Sequence, residues 1–268
     1  MNKIKIPEPV EALVVVLLSF SGLVLFSLTF LGFISGGTEN QSDTTLFSMI
    51  FMFGKIVFFG LPVFYCYKKN YPLQKIFKIK PVSKEVIIFS IIIGLSLIAI
   101  TDEIQRLVDL IVPMPDSMKE LLKSAKDVGG MEWALLFIGS IFIAPLADEG
   151  LFRGFLQVSL EEKGDPVRAV ILTSVTWALI HISPYLAIPI FILGIFLGYL
   201  SWKTKSILPS IVIQALFGFI AVILLDSSLE EGFNSWYLMG DHVSPFILIL
   251  SGGGLYYSIK MIDNLGDE

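Results

Sequence analysis

Residues 133–160 read WALLFIGSIFIAPLADEGLFRGFLQVSL. About 20 apolar residues in a helix suffice to cross the hydrocarbon core of a bilayer, and here only Asp148, Glu149 and Arg153 carry charge. The run predicts a membrane span with three ionisable groups at lipid depth. Charges there are costly, so they face the inside of a bundle and mark functional sites by default. The residues that fix the fold class therefore also open the search for a site.

The rest of the chain agrees. Of its 268 residues, 54% are apolar and 16% charged, against roughly a quarter charged in soluble domains. Its mean hydropathy is +0.79. A water-soluble globule is excluded, and so is a disordered chain, because 22 phenylalanines supply the hydrophobicity that disorder lacks. The net charge is −5 with no basic stripe, so nucleic acid is not an expected partner. Cys66 is the sole cysteine, which rules out an internal disulfide and a cysteine-based structural zinc site.

Seven further apolar stretches flank the first: 10–34, 45–66, 86–100, 167–182, 186–202, 208–225 and 243–259. The fold class is all-α: a polytopic membrane helix bundle with about eight transmembrane helices. The stretch at 10–34 exceeds a signal-peptide core of about 7–15 residues and reads as a retained helix. Lys and Arg then set the orientation. Thirteen of the 19 fall in the amino terminus, the loops around 67–85, 161–168 and 203–206, and the carboxyl tail. Arg106, Lys119, Lys123 and Lys126 fall on the opposite side, while Lys55 and Arg153 lie within spans. This bias predicts a multi-pass cell-membrane protein with both termini cytoplasmic.

Four regions follow. Residues 1–100 hold the N-terminal transmembrane helices and 101–130 an extracytoplasmic amphipathic segment. Residues 131–225 form the core, and 226–268 an outer loop, the last span and the tail. In 101–130, helical spacing of Ile104, Leu107, Val108 and Ile111 breaks at Pro113 and Pro115, with Asp116 or Ser117 placed to cap a second helix. A pair of helices on the membrane surface is expected, a substrate-gating lid being the alternative.

The charges of 133–160 sort by spacing. Glu149 and Arg153 are four apart with the acid first, so they meet on one helix face. Asp148 lies about 100° around the helix and has no partner on it. The following span offers one in His181, four residues after Trp177. At about 1.5 Å per residue, Asp148 sits roughly 18 Å and His181 roughly 21 Å from the inner ends of their spans. By that rise Gln214 and Gly218 fall at roughly 12 and 18 Å. A carboxylate and an imidazole facing one water make a general-base pair. A buried ion-pair network without chemistry and a transporter proton relay are the competing explanations, and no broken-helix repeat supports the relay.

DEGLFRG followed by WALIH resembles the EExxxR and FxxxH motifs of the CPBP family, the CAAX proteases and bacteriocin-processing enzymes also called Abi proteins. APLADE before the acids and the run ILGIFLGYLSWKTKSILPSIVIQALFG after them extend the likeness over about residues 130–225. The resemblance implies an intramembrane endopeptidase acting on membrane-associated peptides or proteins, prenylated CAAX peptides being one choice. It gives Asp148 and His181 the activation of water, Glu149 and Arg153 the support of the site, and a third motif the stabilisation of the oxyanion. The chain departs twice from that pattern. Its first acid is Asp, and its third motif reads Gln214-x-x-x-Gly218 where the family has His and Asn or Asp. Gln214 retains a donor; Gly218 has none. Loss of one oxyanion donor typically costs 10²–10³ in rate, so a catalytically impaired scaffold or adaptor of the same fold is the alternative.

No cofactor is expected. A catalytic zinc has three protein ligands, and Asp148, Glu149 and His181 reach that number only if Glu149 leaves Arg153; a divalent metal there is the alternative. Lys55, near the middle of the second span, is read as a snorkelling or structurally paired lysine, with a counter-ion role the less favoured choice. Gly194 and Gly198 are read as allowing close helix packing.

Overall fold

The computed structural model describes residues 5–35, 43–126 and 130–265. Every one of the eight apolar stretches folds as a helix. In chain order these are α1 (Pro9–Ser35) and α2 (Asp43–Lys68), the single turn α3 (Leu73–Ile76), α4 (Lys84–Asp109) and α5 (Asp116–Lys126). Then come α6 (Gly130–Lys163), α7 (Pro166–Ile180), α8 (Pro184–Thr204), α9 (Leu208–Ile223), α10 (Ser227–Tyr237) and α11 (Pro245–Leu265). Six helices are long and apolar enough to cross a membrane, while α7 and α9, with 15 and 16 residues, are apolar but shorter.

Local chemistry explains the boundaries. Ser83 caps α4 by accepting from the Val86 N–H, and Asp165 caps α7 by accepting from the Arg168 N–H, each satisfying an otherwise orphaned donor. Pro166, Pro184 and Pro209 stand in the first turns of α7, α8 and α9, where a missing N–H costs nothing. Three buried hydroxyls are satisfied within their own helices: Ser90, Ser159 and Ser174 each donate to the carbonyl four residues back.

The structure differs from expectation beyond Ile100. The helix runs on to Asp109 because nothing breaks it before Pro113, and Asp102 and Arg106 pair across one turn at 3.2 Å. The expected first amphipathic helix is thus the C-terminal end of α4; the second is α5, and 127–129 lie outside the described residues. Between α9 and α11, α10 leads into an antiparallel hairpin of two-residue strands, Leu238–Met239 with His242–Val243.

α6 carries the site. Two π-helical segments, Gly139–Ile143 and Gly150–Leu156, bracket the α-helical turn Ala144–Glu149. The first precedes Pro145, whose ring clashes with the carbonyl four residues back in a regular helix, and widening relieves that clash. The second is seated by glycines: a Cβ at Gly150 would overlap the Phe59 ring, and one at Gly154 would lie 3.0 Å from the Phe77 backbone. Such wide turns inside helices accompany functional sites. Around α6, the buried side chains of α1, α2, α4, α7, α8 and α9 form one continuous core.

Candidate active site

Glu149 and Arg153 are both fully buried, with Arg153 Nη1 donating to Glu149 Oε1 at 2.9 Å. Two more helices complete their surroundings. Arg153 Nη2 donates to the Gly194 carbonyl of α8 at 3.2 Å, and the guanidinium lies 4.3 Å from the centre of the Trp177 ring of α7. The Gln214 amide of α9 donates to the same Glu149 oxygen. A buried pair of opposite charges is costly unless further hydrogen bonds satisfy it; α8 and α9 supply two of those bonds, and Glu149 Oε2 and Arg153 Nε stay buried without a partner. One turn on, Gln157 repeats the pattern, donating to the Gly198 carbonyl at 2.9 Å. Gly194 and Gly198 therefore do more than pack: without a Cβ, their carbonyls lie open to α6. A Cβ at Gly194 would sit 2.9 Å from that of Ser174 and 3.2 Å from Arg153 Nη2.

Asp148 faces another way. Both its oxygens accept from Lys55 Nζ of α2, at 2.7 and 2.8 Å, with side-chain exposures of 9% and 19% respectively. This pair is nearer the exterior than the Glu149 cluster. The partner missing on α6 is thus supplied by the lysine that the sequence reading set aside, in its counter-ion role.

His181 follows the last residue of α7 and is exposed. Its Nδ1 lies 2.7 Å from the Trp177 carbonyl. A carbonyl only accepts, so Nδ1 carries the proton and Nε2 keeps its lone pair. The ring stands edge-on to Trp177 with centroids 5.5 Å apart. Next in the chain, Ile182 has φ 48°, a left-handed conformation unusual for a β-branched residue, of the kind that clusters at functional sites. His181 lies within electrostatic reach of Asp148, Lys55 and Arg153, but Asp148 and His181 do not hydrogen-bond to each other.

Of the residues singled out in the sequence, Glu149, Arg153 and Gln214 are thus bonded together. Asp148 lies beside them on Lys55, and His181 joins through Trp177. Gly218 takes no part in the polar layer: a Cβ there would overlap the Ser140 carbonyl oxygen in the first π segment. Sequence reasoning missed the Gly194 carbonyl, which has no sequence signal, and used Trp177 only for its spacing.

The donor set does not suit a metal. Asp148 is bonded by an ammonium and Glu149 by a guanidinium and an amide. Among the described residues, no three His, Cys, Asp or Glu side chains converge to hold one.

No curated protein and no solved structure matches the chain. Residues 130–220 match the family model described as type II CAAX prenyl endopeptidase Rce1-like. That interval contains every residue of the polar cluster except Lys55, and over it this multi-pass membrane chain is similar to the CAAX prenyl endopeptidases.

Proposed function

We propose that the chain is an intramembrane endopeptidase that cleaves membrane-associated peptides with water activated by His181 and Asp148. The observation that carries this reading is the contact of His181 Nδ1 with the Trp177 carbonyl. Its Nδ1–H is committed to the Trp177 carbonyl, which leaves Nε2 as a base on an exposed ring within electrostatic reach of Asp148.

In the reaction, Nε2 takes a proton from water as the water oxygen bonds to the scissile carbonyl carbon. The Asp148 carboxylate favours the imidazolium so formed. The C–N bond then breaks, and the imidazolium returns the proton to the leaving amine. Glu149, Arg153 and Gln214 hold α6, α8 and α9 in register behind these groups. Gln214 gives one amide N–H to Glu149, which fixes the amide against α6 and leaves its second N–H as the only donor it could offer an oxyanion. Lys55 is the positive charge on the more exposed side of Asp148, placed to stabilise a developing negative oxygen.

A farnesylated CAAX peptide with a fluorophore and quencher across the cleavage site, added to the full chain in lipid nanodiscs, tests this. Wild type should cleave it, and His181→Ala and Asp148→Ala should each lose about 10²–10⁴ in turnover, the usual contribution of a positioned acid or base. Full turnover in both variants would refute the assignment. The second reading, a non-catalytic adaptor, is favoured by Gln214 being tied to Glu149 and by Gly218 having no side chain. It predicts that the double variant rescues a deletion phenotype as well as wild type does.

A further inference from the structure

A chamber of about 410 Å³, none of whose lining residues belongs to the Asp148 layer, opens at the ends of α4, α9 and α10. A second space of about 330 Å³ lies between α4 and α11. The two are adjacent, with Ile98, Ile220, Phe233 and Tyr237 lining both. Along α4 the lining passes from Arg106, Gln105 and Asp102 in the chamber to Ala99, Leu95 and Ile92 in the slot. Polar walls thus lie at one end and apolar walls at the other.

The polar end has a definite character. Each charge in it is already matched: Asp102 by Arg106 at 3.2 Å, and Glu230 by Lys126 of α5. Arg106 also donates to the Asp241 carbonyl at 3.1 Å. Two hydrogen-bonding atoms are not matched. Gln105 Oε1 and the Tyr237 hydroxyl are buried with no partner at hydrogen-bond geometry, Asp102 being the acid that acts on Tyr237, and Tyr237 is only 5% exposed. The Gln105 amide is fixed, because its Nε2 donates to the Tyr185 carbonyl at 3.0 Å. Burial raises the Tyr237 hydroxyl above the ordinary tyrosine value, which keeps it a donor. Buried polar groups left unpaired are costly, so a ligand that supplies one donor and one acceptor and adds no charge is favoured.

The apolar end sets the remainder. From Ala99 to Ile92 on α4, and from Ile247 to Gly254 on α11, the slot runs about 10 Å at the helical rise. Gly254 and Ser96 let the two helices approach there: a Cβ on Gly254 would lie 3.0 Å from the Ser96 hydroxyl oxygen.

We propose that chamber and slot form one binding site for a neutral single-chain amphiphile, a monoacylglycerol or a related hydroxylated ester. Its head bonds Gln105 and Tyr237, and its chain lies between α4 and α11. The site is separate from the proposed endopeptidase centre and does not depend on that reading.

Native mass spectrometry of the purified full chain with added 1-monolauroylglycerol tests it. Wild type should bind one molecule saturably, and lauric acid, which carries a charged head, should compete at least tenfold less well. Tyr237→Phe should weaken binding about fivefold, the scale of one hydrogen bond. Ala99→Leu should abolish the adduct by filling the slot, and Ser251→Leu, on the facing helix, repeats the test should the first variant not fold. Non-saturating adducts, equal competition by lauric acid, or undiminished binding in both the Tyr237→Phe and a folded slot-filling variant would overturn the proposal and mark the adducts as annular lipid.

Discussion

At the scale of single residues, the layer at Asp148 is governed by how each charge is neutralised. Lys55 and Asp148 are mostly withdrawn from solvent and hold each other at 2.7 Å. Removing one partner of such a pair leaves an uncompensated charge, at a cost of about 3–5 kcal/mol when fully buried. Because both side chains retain some exposure, Lys55→Met should lose about 3 kcal/mol of stability, measured by unfolding in mixed micelles. Adding Asp148→Asn to Lys55→Met should recover most of that loss, which a double-mutant cycle reads directly. Arg153 is less replaceable. It serves Glu149 and the Gly194 carbonyl with separate nitrogens while its plane lies over Trp177. Lysine has neither the fork nor the flat face, so Arg153→Lys should destabilise the fold by about 2 kcal/mol despite keeping the charge.

Helices settle what residue types alone leave open. The Glu149–Arg153 pair was legible because spacing of four is a property of one helix, and the apolar runs marked every membrane helix for the same reason. Contacts between helices were not legible. Nothing in the order of residues says that α2 turns Lys55 toward Asp148, or that the carbonyls of α8 accept from Arg153 and Gln157. Gly218 shows the difference most clearly. By motif it is a lost asparagine; in the fold it is where α9 meets the backbone of the first π segment at Ser140. Any side chain there must push two helices apart, and overpacking of this kind costs about 1–3 kcal/mol. Gly218→Ala should therefore lower stability by about 2 kcal/mol. Gly218→Asn, which restores the family's residue type, should lower it further and raise no turnover on the quenched CAAX peptide. A gain in turnover would mean that α9 can shift to admit the side chain, and that the third motif still has a place in this chain.

For the molecule as a whole, the stability of the lysine-rich side depends on a buried lysine that loop charge counts treat as one more topology signal. Lys78 is 7% exposed, and its ammonium lies 2.9 Å from Glu161 at the end of α6. The backbone around it ties α3 and α4 to the turn between α8 and α9: the Ile207 N–H donates to the Lys78 carbonyl, and the Ser206 hydroxyl donates to that of Lys80. Burial pushes the Lys78 ammonium below the ordinary value of 10.5, and the pull of Glu161 only partly offsets it. The unfolded chain then binds this proton more readily than the folded one wherever pH lies between the depressed value and 10.5. Folding releases a proton in that window, so stability rises with pH there. Lys78→Met removes the titration while keeping an unbranched apolar stem. As pH rises toward 10.5, the melting temperature of wild type should climb relative to that of Lys78→Met. A difference that stayed flat, or moved the other way, would show that Glu161 outweighs burial and that the staple holds its proton as firmly folded as unfolded.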